Sequence, residues 1–387
     1  MTIYLKWTIA GKRLAAGVCL VVTLAGTAAA QEIPERVLQP DEKAEGFNLD
    51  ALIEAARKEP PITIYSQTGK VVGEAERFSA KYGIQATGVK VELGAVEKVA
   101  REAEAGNVIG DVLVNEDLSG MVLELMATGK LVNWVPGDMA GTIKPEFQYP
   151  LQLHFGHFGW VYNTEVYDKC PVDNIWQLTE EDFRSRAAIA DPLSNSKYPY
   201  WFNIMALNDD ESFRALYKER YGKDLVTEEP TAVHEWVKRF AGNSPKIMRT
   251  DEEVSEAVGA PGQTTPSFGP MSMAKFRNNA GKGYKLALCG TIRPWTLQSF
   301  PSAIAIAAKT DSMNAAKLFV HYMFTEEGFA EELGDGKVSS NSAMPLPKDA
   351  SNVATLLDKA SPYRAADIGK NFETRTEWDD FWMAHYH

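Results

Sequence analysis

The chain has 387 residues, with 40 Lys or Arg against 52 Asp or Glu and a formal charge of −12. Apolar residues make up 45% and charged residues 24%, which excludes a disordered, collagenous or fibrous chain and leaves ample material for one large domain or two. The acidic balance, with no cluster of Lys and Arg, argues against nucleic acid as a partner. No apolar run reaches the roughly 18 residues of a membrane-spanning helix.

The N-terminus reads as an export signal. Lys6, Lys12 and Arg13 form a positive region, Leu14 to Ala25 is a short apolar stretch, and Ala28-Ala29-Ala30 precedes Gln31. This pattern predicts a secretory signal peptide over residues 1–30, cleaved after Ala30, and a periplasmic mature protein. The competing reading is a buried N-terminal helix. Val18 is bulky where a lipoprotein signal wants a small residue, so Cys19 falls within the discarded segment. Cys170 and Cys289 then remain in an oxidising compartment. A disulfide and two separate buried thiols are both compatible with their spacing.

Residues 31–48 are polar and broken by prolines, and helical spacing begins at Leu49, Leu52, Ile53 and Ala56. Three strand–helix units follow. Strands are predicted at Pro61–Tyr65, Val89–Leu93 and Gly110–Val114, each followed by an amphipathic helix, the last through Met121, Leu125 and Met126. This alternation predicts a mostly parallel sheet covered on both faces. A second round starts with strands at Phe158–Tyr162 and Ala187–Ala190, then a helix with Trp201, Ile204 and Leu207. Helices are predicted over 210–222 and 230–241, and short strands at Ser267–Gly269, Lys285–Leu288 and Ala303–Ala307. A helix over Asn314–Phe324 precedes a tail with Trp378, Phe381 and Trp382. The fold class is therefore α/β, in two lobes.

No GxSxG, HExxH, P-loop or GxGxxG is present, so neither an enzyme nor a cofactor is expected. His154 and His157 lie three apart before a strand, where they would face opposite ways, and read as packing rather than metal ligands. Three turns stand out instead: Ser66-Gln67-Thr68-Gly69, Ser194-Asn195-Ser196 and Ser267-Phe268-Gly269. Each alone is an ordinary helix cap. Spread over two lobes, they suggest a cleft beyond the carboxyl ends of strands, where helices present free N–H groups.

Five segments in order extend this reading: ITIYSQTG (62–69), GDVLVNEDLSG (110–120), FGWVYNTEVYDKCPVDNIWQLTEEDFRSRAAIADP (158–192), SEAVGAPGQTTPSFG (255–269) and NAAKLFVHYMFTEEGFAEE (314–332). Their series resembles the extracellular solute-binding proteins of ABC importers, in the cluster covering ferric iron, thiamine, phosphonates, phosphorylated sugars and polyamines. The resemblance implies a type II, two-lobe binding fold that closes on a small-molecule solute and delivers it to a membrane permease, as a monomer. It places lobe I at 31–157 with 298–345, lobe II at 158–297 with 346–387, and the hinge near Phe158–Tyr162 and Leu297–Ser302. Ligand contacts are implied at Ser66, Gln67 and Thr68, at Asn115 and Glu116, and at Trp160 and Tyr162 along the hinge. Ser194, Asn195 and Ser196, with Ser267 and Gly269, complete the set; no metal ligand is implied.

The chain departs from the ferric members, which carry an adjacent Tyr-Tyr pair after the strand corresponding to Ser267–Gly269. Pro270-Met271-Ser272-Met273 stands there, and Tyr198 and Tyr200 read as packing. Glu116, Asp117, Trp160 and Tyr162 could serve a polyamine. Hydroxyl and amide turns suit a phosphate ester or carboxylate better, with Arg293 or Lys70 as charge partners. A periplasmic hydrolase on a similar fold is the remote alternative.

Overall fold

The computed structural model describes residues 46–387 apart from 92, 195 and 196. The predicted export segment, Asn195 and Ser196 lie outside the described residues. Eleven strands occur among the described residues: β1 (Ile62–Ser66), β2 (Ala86–Lys90), β3 (Val112–Asn115), β4 (Leu131–Val132), β5 (Gln152–Asn163), β6 (Ala188–Ala190), β7 (Lys246–Met248), β8 (Gly269–Ser272), β9 (Leu286–Leu288), β10 (Leu297–Ala307) and β11 (Val338–Ser339). Nine form one sheet in the order β11-β5-β10-β3-β1-β2, with β4 on β10 and with β8 and β9 on β5. Strands β6 and β7 pair separately, in parallel.

Only β1, β2 and β3 of the large sheet are parallel, joined by the helices Lys70–Tyr82 and Ala95–Ala105. The expected mostly parallel sheet is thus limited to this corner. The remainder is antiparallel because β5 and β10 are long and run in opposite directions, from Leu297 beside Gly159 to Ala303 beside Gln152. Their register shifts between Ser302 and Ala303. Both are longer than expected, and the second predicted strand sits three residues earlier, at Ala86–Lys90. Gly88 is required there, since a Cβ would lie 2.1 Å from the Val71 carbonyl oxygen of the overlying helix.

Strand alternation builds the first half of the molecule. Ile62, Ile64, Val112, Val114, Ile304 and Ile306 point to one face, where the helix Met313–Met323 covers them. Tyr65, Leu113, Ala303, Ala305 and Ala307 point to the other, against Val96, Val99 and Met121. The second half gathers around β5, β6, β8 and β9 and is dominated by aromatic rings. Trp176 and Trp236 are fully buried, and their indole Nε1 groups donate to the Phe213 and Ile175 carbonyls, each at 2.9 Å. Cys170 and Cys289 are joined by a disulfide in this half, with Cα atoms 5.1 Å apart. That settles the alternative which their spacing left open.

Candidate functional site

A cleft of about 470 Å³ opens between the turns that follow β1 and β3 and the second half of the chain. Gln67, Thr68, Glu116, Asp117 and Ser119 line it from the first half. Ser194, Lys197, Arg249, Thr250 and Lys275 line it from the second. Phe300 and Pro301 of β10 contribute apolar surface, and Ile368, Asn371 and Phe372 arrive from the C-terminal segment.

The first-half turns are tied to one another. The Glu116 amide donates to Gln67 Oε1 at 2.8 Å, joining the turn after β1 to the turn after β3. Ser66 Oγ accepts from the Thr68 amide, and Asn115 Oδ1 accepts from the Asp117 amide, so both side chains shape their own turns. Both are buried. Ser66 therefore faces a second, much smaller cavity of about 10 Å³ behind the turn, shared with Glu74, His154, Ser302 and Glu332.

That rear cavity is electrostatically unusual. Burial, then Glu332, pushes the Glu74 carboxyl up to about 8, and Glu74 Oε1 has no hydrogen-bond partner. Burial, then Lys337 and Lys70, pushes His154 well down. His157 sits on the opposite face of β5 and is pushed down to about 3 by burial and Lys337. Among the described residues no three His, Cys, Asp or Glu side chains converge to hold a metal ion.

On the second-half side, Thr250 caps the helix Asp251–Gly259, its hydroxyl accepting from the Glu253 amide. Burial alone would raise the Asp251 carboxyl; the Lys197 ammonium at 2.9 Å and the Ser272 amide at 3.1 Å outweigh it and hold the pKa below the usual range. Arg249 is 88% exposed along its side chain and pairs with Glu253. Lys275 reaches Glu252 at 2.9 Å. One face of the cleft thus carries three cations, each paired with a carboxylate in the first turn of the Thr250-capped helix, Asp251 lining the cleft beside them, and the other carries Glu116 and Asp117.

Of the residues expected at the site, Gln67, Thr68, Glu116 and Ser194 meet at the cleft. Trp160 and Tyr162 do not. They share with Phe158 the face of β5 that points into the aromatic core, where Trp160 lies 5.9 Å from the Phe240 ring. Ser267 is buried, and its hydroxyl accepts from Lys246 Nζ at 3.1 Å. Gly269 serves packing, because a Cβ there would lie 2.5 Å from the Ala188 carbonyl oxygen. Lys70 is held by Asp335 at 2.6 Å, and Arg293 is held by Glu219 at 2.7 Å, both away from the cleft. Tyr198 is buried, as expected of packing, but Tyr200 lines the cleft, its phenol pushed up by burial and then by Asp367.

Sequence reasoning missed Lys197, Arg249, Thr250, Lys275 and Phe372. For Thr250 a signal existed, since Thr250 and Glu253 have capping-box spacing. The others are charged or aromatic residues isolated in their segments.

This two-lobe arrangement, with long strands passing between halves around a cleft, is the type II binding fold. Iron-bound HitA from Pseudomonas aeruginosa shares it, at TM-score 0.62 and 15% identity, over 83% of this chain and 99% of that one. Apo ferric ion-binding protein A from Pasteurella haemolytica superposes at TM-score 0.63 and 14% identity, over 84% and 98%. AfuA from Actinobacillus pleuropneumoniae, solved with fructose-6-phosphate bound, superposes at TM-score 0.60 and 17% identity, also over 84% and 98%. The chain belongs to the bacterial extracellular solute-binding protein family, whose model matches residues 63–331. Among curated protein sequences none matches it.

Proposed function

We propose that the chain is the solute-binding component of an ABC importer, exported to the periplasm by cleavage after Ala30 and acting as a monomer. It captures a small anionic solute, a phosphate ester or carboxylate, and hands it to a membrane permease. The observation that carries this reading is the convergence of Lys197, Arg249 and Lys275 on one cleft face beside the Thr250-capped helix. The lobes run over 31–157 with 298–345 and over 158–297 with 346–387, and β5 and β10 supply the hinge between them. Closure is favoured by contacts that a solute makes with both faces at once.

Ferric iron is less well served. Among the described residues Tyr200 is the one tyrosine lining the cleft, and burial makes its phenol harder to ionise. Glu116 and Asp117 favour a second reading, a polyamine or thiamine, with cationic groups against the first half.

Thermal unfolding against sugar phosphates, organic anions, polyamines, thiamine and ferric salts tests these readings. A solute at about 100 times its dissociation constant stabilises by roughly 2.7 kcal/mol, a shift of several degrees for a chain of this size. A shift with phosphorylated or carboxylated solutes is expected. Arg249→Gln should then weaken binding about tenfold while the unliganded midpoint stays in place. A shift confined to polyamines, thiamine or iron overturns the choice of solute, and turnover of a phosphate ester overturns the binding role.

A further inference from the structure

The helix Ile368–Glu373 lies far along the chain from every turn that defines the cleft, yet three of its residues line it. Ile368, Asn371 and Phe372 are spaced i, i+3 and i+4 and so share one helical face. We propose that this helix is a clasp: it belongs to the second half, grips the first half through Ile368, and presents Phe372 to the solute.

The two attachments differ greatly in strength. On the second-half side, Asn208 Nδ2 donates to Asp367 Oδ2 at 2.9 Å, and Asn203 Nδ2 donates to Asn371 Oδ1. Asn203 Oδ1 accepts in turn from Trp378 Nε1 at 3.2 Å. Trp378 and Trp382 follow immediately and are buried in the aromatic core, and Tyr386 Oη donates to the Pro245 carbonyl at 3.2 Å. Five side chains in succession anchor the segment there.

On the first-half side the helix itself grips with one apolar side chain and one hydrogen bond, and Tyr363 just before it packs beside the Phe147 and Phe155 rings. Ile368 is 3% exposed and packs with Tyr65, Val96, Leu118 and Met121. Its carbonyl accepts from Ser119 Oγ at 3.0 Å. When the halves part, this weaker side releases while the tryptophans hold. Phe372 remains 39% exposed and lines the cleft between Ile368 and open solvent, which suits a ring that completes its burial against a solute. The clasp adds a link between the halves beside the two long strands, and unlike those strands it has no backbone pairing to the first half among the described residues.

The clasp bears on solute exchange only if the cleft is the binding site, so its test separates the two claims. Hydrogen exchange of the unliganded full chain is compared between wild type and Ile368→Asp. Peptides covering 118–126 and 365–373 are expected to exchange about tenfold or more faster, the cost of losing one buried aliphatic side chain, while peptides covering Trp378–Trp382 keep their protection. Unchanged exchange in 118–126 overturns the clasp, and so does loss of protection through Trp382, which would make the helix an ordinary part of the second-half core. Should Ile368→Asp fail to fold, Ser119→Ala, which removes only the hydroxyl bond, carries the same comparison at smaller amplitude. Phenyl phosphate is the binding probe. Ile368→Asp should speed both its association and dissociation, and Phe372→Ala should weaken it about tenfold with inorganic phosphate unaffected. If wild type binds neither phosphate, the anion reading fails and the exchange comparison still decides the clasp.

Discussion

The first half buries Ile62, Ile64, Val112, Val114, Ile304 and Ile306 on the faces of paired strands, whereas the second half buries Trp160 of β5 with Trp176, Trp201, Trp236, Trp378 and Trp382, four of them on α-helices. Regular pairing satisfies the backbone in one; in the other, β6 to β9 are only three or four residues long. Large rings fill the volume there, the Trp176 and Trp236 indole N–H groups bond the Phe213 and Ile175 carbonyls, and a disulfide closes the chain across 119 positions. Two routes to a solid lobe thus coexist in one chain. A sheet distributes stability along many small residues, and an aromatic cluster concentrates it in a few.

On that contrast, the second half depends on individual features far more than the first. The largest effect is expected from Cys170→Ser with Cys289→Ser. A closed loop of this length contributes about 4–5 kcal/mol in the chain-entropy description, and hydrogen exchange should show the loss in 158–297 while β1 and β3 stay protected. Uniform loosening of both halves would break the comparison. Next comes Trp236→Ala, which removes a fully buried ring stacked at 5.0 Å on Phe240 and the bond to Ile175, for about 3–5 kcal/mol in denaturant unfolding. Ile304→Val, its counterpart in the sheet, should cost about 0.5–1.5 kcal/mol.

The rear cavity and the neighbouring histidines of β5 hold buried titratable groups in the first half, and they sharpen the comparison through pH. Glu74, raised from 4.5 to about 8, binds its proton in the folded state where the unfolded chain has lost it, so stability falls as pH rises from 4.5 to 8. His154 and His157, both lowered from 6.5, act in the opposite sense, and stability falls as pH drops below 6.5. Below 6.5 the two histidines outweigh the one carboxyl; above it only the carboxyl acts. These three groups alone place the maximum near pH 6.5. Glu74→Gln should flatten the alkaline limb, worth about 1.4 kcal/mol per pH unit between 6.5 and 8, and leave the acid limb in place. An unchanged alkaline limb would show that Glu74 is ionised in the folded protein.

The same contrast explains what could be read in advance. The β–α units over 62–126 were legible because alternation in the strands and 3.6-residue periodicity in the helices are local signals. The second half was less so. Trp160 and Tyr162 carry the polar tips of a binding site, but only their shared parity with Phe158 along β5 shows that they point into packed rings. Ser267 and Gly269 looked like a turn at a helix start, and their actual partners, Lys246 and the Ala188 carbonyl, lie 21 and 81 positions away. The cleft draws Lys197, Arg249, Lys275 and Phe372 from separate segments, and no window of sequence contains two of them in a telling pattern.

The position of β10 in the sheet has a consequence for the order in which the protein is made. It lies between β5 and β3, so the first half lacks a central strand until residue 307 has emerged. No N-terminal fragment short of that point can close its own sheet, and synthesis of the second half must be nearly complete before the first can fold. Assembly therefore waits on contacts of long sequence separation, which slows folding relative to chains built from neighbours. For the export proposed above, a topology that postpones its own completion would leave the chain unfolded during the crossing.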